Sequence, residues 1–111
     1  MDGEVYINAE NANLSSLKKA NSVFIYATNT NLSSLKTAGE IVIYASNANL
    51  SNLKNVNREV DIRAANADLS SLQTAGKVVV LGNAKNADLR SLETVEEEVY
   101  INAENVNLSI L

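Results

Sequence analysis

Serine hydroxyls recur in this sequence and are the first candidates for nucleophilic chemistry. They stand in pairs behind a leucine, at Ser15-Ser16, Ser33-Ser34 and Ser70-Ser71. A serine attacks a substrate only when a neighbouring base takes its proton, and histidine is the usual base. The chain contains no His, and its lysines stand at regular surface positions. The residue types therefore predict no serine-based catalysis, and we expect a protein that is not an enzyme.

Acidic side chains are the next candidates, because carboxylates can hold a divalent cation. Glu96, Glu97 and Glu98 are consecutive, and Glu93 lies just before them. Adjacent residues in a short turn rarely converge on one point, whereas hard cations need several preorganised oxygens. The absence of Cys and His also removes disulfides and the usual zinc ligands. We therefore expect a solvated acidic turn, with no metal and no cofactor.

Aromatic and β-branched residues mark a candidate surface for binding a partner. The candidate residues occupy equivalent positions in three successive alternating segments: Phe24, Tyr26, Val42, Tyr44, Asp61 and Arg63. Aromatic side chains are enriched among the anchors of protein interfaces, which favours a partner-binding site. The same residue types also favour strands and pack across them, and an exposed Asp and Arg are often solvated and weakly paired. Both interpretations are open at this point.

The overall charge limits which partners are plausible. The net charge is -4 and the pI is about 4.7, whereas nucleic-acid binding needs clustered Lys and Arg. No apolar run approaches the roughly 20 residues of a membrane-spanning helix. The first four residues do not resemble the basic start of a signal peptide. We expect no nucleic-acid partner, no membrane insertion and, by default, a soluble cytoplasmic protein.

An internal repeat defines the elements that position these residues. A leucine pair recurs six times, and its first members are separated by 18, 18, 19, 20 and 19 residues. The pairs are Leu14/Leu17, Leu32/Leu35, Leu50/Leu53, Leu69/Leu72, Leu89/Leu92 and Leu108/Leu111. Asn or Asp directly precedes the first leucine of each pair, and another Asn stands three positions before that leucine. Six alignments of one pattern indicate a repeat architecture.

Each repeat combines two periods. The segment V-x-I-x-A, as in Val23–Ala27, alternates with period 2 and predicts a half-buried strand. The segment L-x-x-L-x-x-A, as in Leu32–Ala38, has period 3, which suits a tight 3₁₀-like turn. About 18 residues cannot form a core alone, so the coils must stack and their strands must pair about 4.8 Å apart. The sequence predicts a β-solenoid of six short coils of 18–20 residues, with one parallel sheet and return turns.

The recurring asparagines have predicted structural roles. Continuing the strand alternation points the first Asn of each repeat inward, where a buried amide requires hydrogen bonds. We therefore expect a buried ladder, bonded to backbone at the adjacent turn. Its members are Asn11, Asn29, Asn47, Asn66, Asn86 and Asn105. The Asn or Asp before each leucine pair is predicted to cap the following turn.

Glycines mark two further features of the repeat. Gly39 and Gly76 stand just before strands, and we expect them to supply a positive φ there. The fifth coil is longer by two residues, within the segment 82–85. This insertion predicts a bulge or a small loop.

The pattern resembles that of leucine-rich repeats. It reads L-x-x-L-x-x-(A/V)-x-x-V-x-I-x-A-x-N-x-(N/D)-L, is carried by residues such as Leu32–Ile43, and extends over nearly the whole chain. The likeness is closest to receptor L domains and related cell-wall proteins. The coils are short for that family, and the Asn lies one residue further from the strand. The resemblance implies a right-handed solenoid with a parallel sheet, and it implies neither enzymatic activity nor a fixed ligand.

Residues 1–111 are expected to form a single solenoid domain. The repeat pattern starts and stops without capping helices, although solenoids normally need polar caps. Three interpretations are open: the sequence is a fragment of a longer repeat protein, its ends are protected by polar side chains alone, or its ends stack on a partner chain.

Two functional hypotheses follow from this architecture. The leading one is a non-catalytic protein-interaction module that binds a partner through the outward sheet face. The alternative is a structural, self-assembling solenoid. It would associate either by pairing of sheet faces or by end-to-end stacking through the strands Val5–Ala9 and Val99–Ala103.

Overall fold

The computed structural model describes residues 3–108 and shows a parallel β-solenoid of about six turns. The predicted fold class is therefore confirmed, whereas the right-handed winding stays a prediction. Leu111, the second member of the last leucine pair, lies outside the described residues. Within residues 3–108 there is no helix long and apolar enough to cross a membrane.

Each coil contains up to three strands, and equivalent strands of successive coils pair in parallel. The first stack contains β1 (Glu4–Asn8), β3 (Lys19–Tyr26), β5 (Thr37–Tyr44), β8 (Glu59–Arg63), β11 (Lys77–Leu89) and β13 (Val99–Leu108). The second stack contains β2 (Asn11–Asn13), β4 (Asn29–Asn31), β6 (Asn47–Asn49) and β9 (Asn66–Asp68). The third contains β7 (Asn55–Val56), β10 (Thr74–Ala75) and β12 (Thr94–Val95). The long strands β11 and β13 continue from the first stack into the second, so the return path of each coil is itself largely extended.

A hydrogen-bonded turn joins the second stack to the third. In the second coil, the Leu35 amide donates to the Leu32 carbonyl at 3.1 Å, which is the i to i+3 spacing expected from the period-3 pattern. The Asn31 Oδ1 accepts a hydrogen bond from the Ser33 amide at 3.0 Å. The same capping bond forms at Asn13, Asn49, Asp68 and Asp88. The predicted capping bond is thus confirmed, and the structure that it caps is one hydrogen-bonded turn in each of these coils.

The core consists of the side chains that the two periods place inward. Leu50, Leu53, Ile41 and Ile43 have no exposed surface, as do the equivalent residues of the neighbouring middle coils. In the first coil, Leu14 and Leu17 are only partly buried. Each coil therefore completes its burial against the coils on both sides.

The asparagine ladder is present, but the prediction that it is buried is wrong. All six Asn residues are exposed, and each later side-chain amide donates to the Oδ1 of the Asn in the preceding coil. The distances are 3.1, 3.0, 2.8, 2.8 and 3.3 Å in chain order. The bonds run mainly from side chain to side chain, although Asn105 Nδ2 also lies 3.4 Å from the Lys85 carbonyl oxygen.

A corner between the first and second stacks explains this error. The strand alternation holds from Val23 to Tyr26, and a bend at Thr28 then shifts the phase by one residue. The inward residue of β4 is consequently Thr30, while Asn29 faces solvent. The equivalent inward position is alanine in the other described coils except the sixth, namely Ala12, Ala48, Ala67 and Ala87.

Replacing Thr30 with valine is expected to raise the free energy of unfolding by about 1 kcal/mol. The Thr30 side chain is 3% exposed, and its hydroxyl oxygen has no hydrogen-bond partner. An unsatisfied buried polar group carries its desolvation penalty, whereas valine has almost the same shape without that group. Urea unfolding followed by circular dichroism measures the change, and a loss of stability in this variant would contradict the assignment.

The glycines before the strands serve a different purpose from the predicted one. Neither Gly39 nor Gly76 has a positive φ; both allow another coil to approach closely. A Cβ atom on Gly39 would lie 2.5 Å from the Asn21 carbonyl oxygen. The positive φ occurs instead at Gly82, where φ is 83°. It belongs to the predicted bulge in the fifth coil, since the pairing register shifts between Val80 and Ala84.

Candidate functional site

The register of the first stack brings the predicted partner-binding residues together on one face. Phe24, Val42 and Asp61 lie side by side on β3, β5 and β8. Tyr26, Tyr44 and Arg63 form a second, parallel column two residues further along the same strands. We call the outward surface of these two columns the aromatic face. The parallel register of β3, β5 and β8 places all six side chains on the same face of the sheet, so the stacking of the repeats alone assembles this surface.

Aromatic rings stack along both columns. The Tyr26 and Tyr44 ring centroids are 4.7 Å apart, and the ring planes are inclined by 8°. Tyr6 stacks on Phe24 at 4.9 Å with an angle of 16°. These distances match the 4.7–4.9 Å spacing of neighbouring strands, because in-register side chains stand one strand apart. The rings are therefore held in fixed orientations, while Tyr6 and Tyr26 remain 71% and 53% exposed.

Arg63 extends the tyrosine stack. Its guanidinium carbon lies 5.2 Å from the centroid of the Tyr44 ring, which is within the range of a cation–π contact. Its Nε is 3.6 Å from Asp61 Oδ1, too far for a hydrogen bond but close enough for an ion pair. The Asp61 side chain is only 17% exposed, and its Oδ1 is buried without a hydrogen-bond partner. The weak pairing expected for these residues is thus present, whereas the Asp61 carboxylate is more buried than the expected solvated side chain.

Four further residues extend the aromatic face beyond the predicted set. Tyr6 precedes Phe24 in the first column, and Val79 and Tyr100 follow Asp61. Leu81 follows Arg63 in the second column. Val79 is 9% exposed although it points outward, whereas Tyr100 is 60% exposed. The alternating pattern already contained the positions of these residues, but only the strand register shows that they adjoin the predicted patch.

The clear pKa shifts in the structure belong to ion pairs away from the centre of this face. The side-chain hydrogen bond to Arg90 lowers the pKa of Asp88, and the same bond raises the pKa of Arg90. The hydrogen bond between Glu98 and Lys77, with Nζ and Oε1 3.3 Å apart, raises the pKa of Lys77. All three shifts favour the charged form and move away from neutral pH.

The arrangement suits recognition through contact. Among residues 3–108, no three acidic side chains gather into a group that could hold a metal ion. The aromatic face presents flat rings, aliphatic side chains and one guanidinium group on a hydrogen-bonded sheet. Such a surface can bury apolar area against a partner and accept a charge contact at Arg63.

Comparison with known proteins found no matching family model, no matching curated protein and no matching solved structure.

Proposed function

We propose that this protein is a non-catalytic interaction module that binds a protein partner through its aromatic face. The observation that carries this proposal is the pair of ring stacks, Tyr6 on Phe24 and Tyr26 on Tyr44, on a solvent-exposed sheet. Single exposed apolar residues are ordinary on protein surfaces, but a continuous apolar patch usually marks an interaction site.

The composition of the face favours a protein as the partner. The centres of protein interfaces are enriched in aromatic residues and arginine, and both occur here, with Arg63 packed on Tyr44. Stacking also restricts the tyrosine rotamers before binding. A preordered side chain loses less conformational entropy when a partner covers it. The face is therefore partly organised for binding in the free protein.

The size of the face limits the affinity. Six strands about 4.8 Å apart span roughly 24 Å, and five residues of a strand span about 16 Å. The resulting area of roughly 400 Å² is about half of the surface that each partner contributes to a standard interface. We therefore propose a transient complex with micromolar or weaker affinity.

Selection from a displayed peptide library tests this proposal. Peptides enriched on the wild-type chain are then measured against the double variant Tyr26→Ser/Tyr44→Ser by isothermal titration calorimetry. Loss of two interface anchors should weaken binding at least about tenfold. Val106→Ser is the control, because Val106 is an exposed apolar residue that lies in the second stack, beside Ala87, and outside the aromatic face. It should change the affinity by less than about twofold.

Two outcomes would overturn the proposal. One is a selection that yields no binder, or binders that hold equally well to the double variant, whose folding is checked by circular dichroism. The other is a wild-type dimer that Tyr26→Lys/Tyr44→Lys abolishes. That result would assign the aromatic face to pairing with a second copy, which is the structural alternative.

Kinship with leucine-rich repeats is a separate part of the proposal. It is supported by the leucine pair, by its place one turn before the strand and by the hydrogen-bonded Asn ladder. The coils are shorter than is usual in leucine-rich repeats, and their strands form three stacks within one parallel sheet. The kinship implies right-handed winding, so an experimental structure with left-handed coils would contradict it.

A further inference from the structure

The first and last coils of the described solenoid carry the same eight residues. Glu4–Asn11 and Glu98–Asn105 both read EVYINAEN. β1 pairs with β3, and β13 pairs with β11, and among residues 3–108 neither has a second neighbour in the first stack. Each therefore presents a row of backbone donors and acceptors to one side, and such edges are available for pairing with another chain.

The asparagine ladder has a direction that makes these two edges complementary. Each Asn Nδ2 donates to the Oδ1 of the preceding coil, from Asn29 onto Asn11 and finally from Asn105 onto Asn86. At its two ends the ladder therefore does not use one donor, the Nδ2 of Asn11 on the first coil, and one acceptor, the Oδ1 of Asn105 on the last described coil. Asn11 of a second copy fits the next rung after Asn105.

The other columns continue across the same junction. Tyr100 ends the column that begins with Tyr6, so a second copy in register brings a Tyr6 ring next to Tyr100. The inward residues Ile7 and Ile101 are only partly buried, whereas Ile43 in a middle coil has no exposed surface. A stacked copy would cover the partly exposed residues as the middle coils cover each other.

We propose that these two coils form a head-to-tail interface between copies of this chain. In it, Glu4–Asn11 of one copy follows Glu98–Asn105 of another as the next coil of a continuous solenoid. The interface is heterologous, because different surfaces of the two copies meet. It does not close on itself, so it generates linear oligomers. It involves coil edges and leaves the aromatic face free except for Tyr6 and Tyr100 at the two ends of its first column.

Two pairs of carboxylates oppose this association. In register, Glu98 meets Glu4 and Glu104 meets Glu10, about one strand spacing apart. In water and at low ionic strength, each like-charge pair at about 4.8 Å weakens binding by at most about fourfold, and two pairs by at most about sixteenfold. The ion pair between Glu98 and Lys77 reduces the repulsion at Glu4. Salt screens exposed charges, so the interface is weak in dilute buffer and strengthens as ionic strength rises.

Sedimentation equilibrium over a concentration series tests the interface. The wild-type chain is measured at ionic strengths of about 10 mM and 1 M, where the Debye length is roughly 30 Å and 3 Å. We expect the average mass to grow with concentration, more strongly in high salt, without a limit at the dimer. Glu4→Gln/Glu10→Gln should raise the association constant between about fourfold and sixteenfold in low salt and reduce its salt dependence.

Two further variants make the test specific. Asn11→Asp, added to Glu4→Gln/Glu10→Gln, should return the chain to a monomer, because the new carboxylate faces Asn105 Oδ1 but still accepts the Asn29 amide. Ser46→Lys/Asn57→Lys adds the same two positive units of charge on middle coils, at exposed positions that do not adjoin Glu4 or Glu10, and should not reproduce the gain. A monomer for both wild type and Glu4→Gln/Glu10→Gln in all salts would overturn the proposal. So would association that Asn11→Asp leaves unchanged.

Discussion

Replacing Leu50 with alanine is expected to lower the free energy of unfolding by about 2–5 kcal/mol. Leu50 has no exposed surface and lies in the third coil, with leucines of the second and fourth coils on either side. Alanine removes the transfer energy of the lost atoms and leaves a cavity. Adjacent coils are hydrogen-bonded in all three strand stacks and cannot collapse into that cavity without disturbing the strand register. The cost should therefore lie toward the upper part of the range.

Leu14→Ala is the matched control for this prediction. Leu14 is the equivalent leucine of the first coil and is only partly buried, so its replacement should cost clearly less. Both variants are compared with the wild type by urea unfolding followed by circular dichroism. Equal losses for Leu50→Ala and Leu14→Ala would mean that stacking between coils does not determine burial.

The periodicity of the sequence was sufficient to predict the core. The period-2 and period-3 segments assigned Ile41, Ile43 and the leucine pairs to the interior, and the structure confirms these assignments. This prediction succeeded because each assignment depends only on residues within one coil. The third stack was missed for the same reason. Strands of two residues, such as Thr74–Ala75, carry no periodic signal and are strands only because neighbouring coils pair with them.

The direction of the asparagines required information that a short pattern does not contain. Asn47 and Asn49 look alike in sequence, and both are exposed in the structure. A corner before β6 resets the alternation, and no glycine or proline marks it. The ladder itself was predictable because the side-chain amide recurs in every coil, at a spacing that brings one above another. The existence of a hydrogen-bonded ladder was predicted, whereas its exposed face and its side-chain partners were not.

The aromatic face was predictable as a set of residues but not as a set of contacts. Equivalent positions in successive repeats placed Tyr26 beside Tyr44, and the register bears this out. The contact of Arg63 with Tyr44 was not foreseen, because the sequence suggested Asp61 as its partner. Arg63 has two neighbours within reach, Tyr44 and Asp61. The distances that decide between them are set by the packing of the folded coils and cannot be read from the sequence.

The functional proposals concern the places where coils differ or where coils end. The buried side chains of the middle coils are nearly identical from coil to coil and stabilise the fold. They therefore do not distinguish one coil from another as a binding site. The aromatic face varies from coil to coil, because coil two bears Phe24 and Tyr26 and coil three bears Val42 and Tyr44 where coil four bears Asp61 and Arg63. The end-to-end interface depends on the opposite property, since its two edges have the same sequence. The two surfaces can therefore be tested by separate variants.

Replacing Gly76 with alanine is expected to lower the free energy of unfolding by about 1–3 kcal/mol. On strand propensity alone, the same change should be stabilising by about 0.5–1 kcal/mol. The sign reverses because an added Cβ would overlap the Arg58 carbonyl oxygen and lie 3.0 Å from the Asn57 carbonyl oxygen. The Arg58 carbonyl accepts the Lys77 amide at 2.9 Å, and the Gly76 carbonyl accepts the Glu97 amide at 2.8 Å. Moving either backbone segment therefore weakens the junction between coils.

Gly3→Ala separates this steric effect from the general effect of adding a methyl group, because no atom lies within 4 Å of a Cβ at Gly3. That variant should unfold at the same urea concentration as the wild type or slightly above it. A Gly76→Ala variant as stable as Gly3→Ala would mean that the strands around Gly76 can separate without cost. In that case, the close approach of coils four and five would not explain why glycine precedes β11. A clear loss for Gly76→Ala alone instead assigns glycine at this position to the spacing of the coils, since its φ is not in the left-handed region.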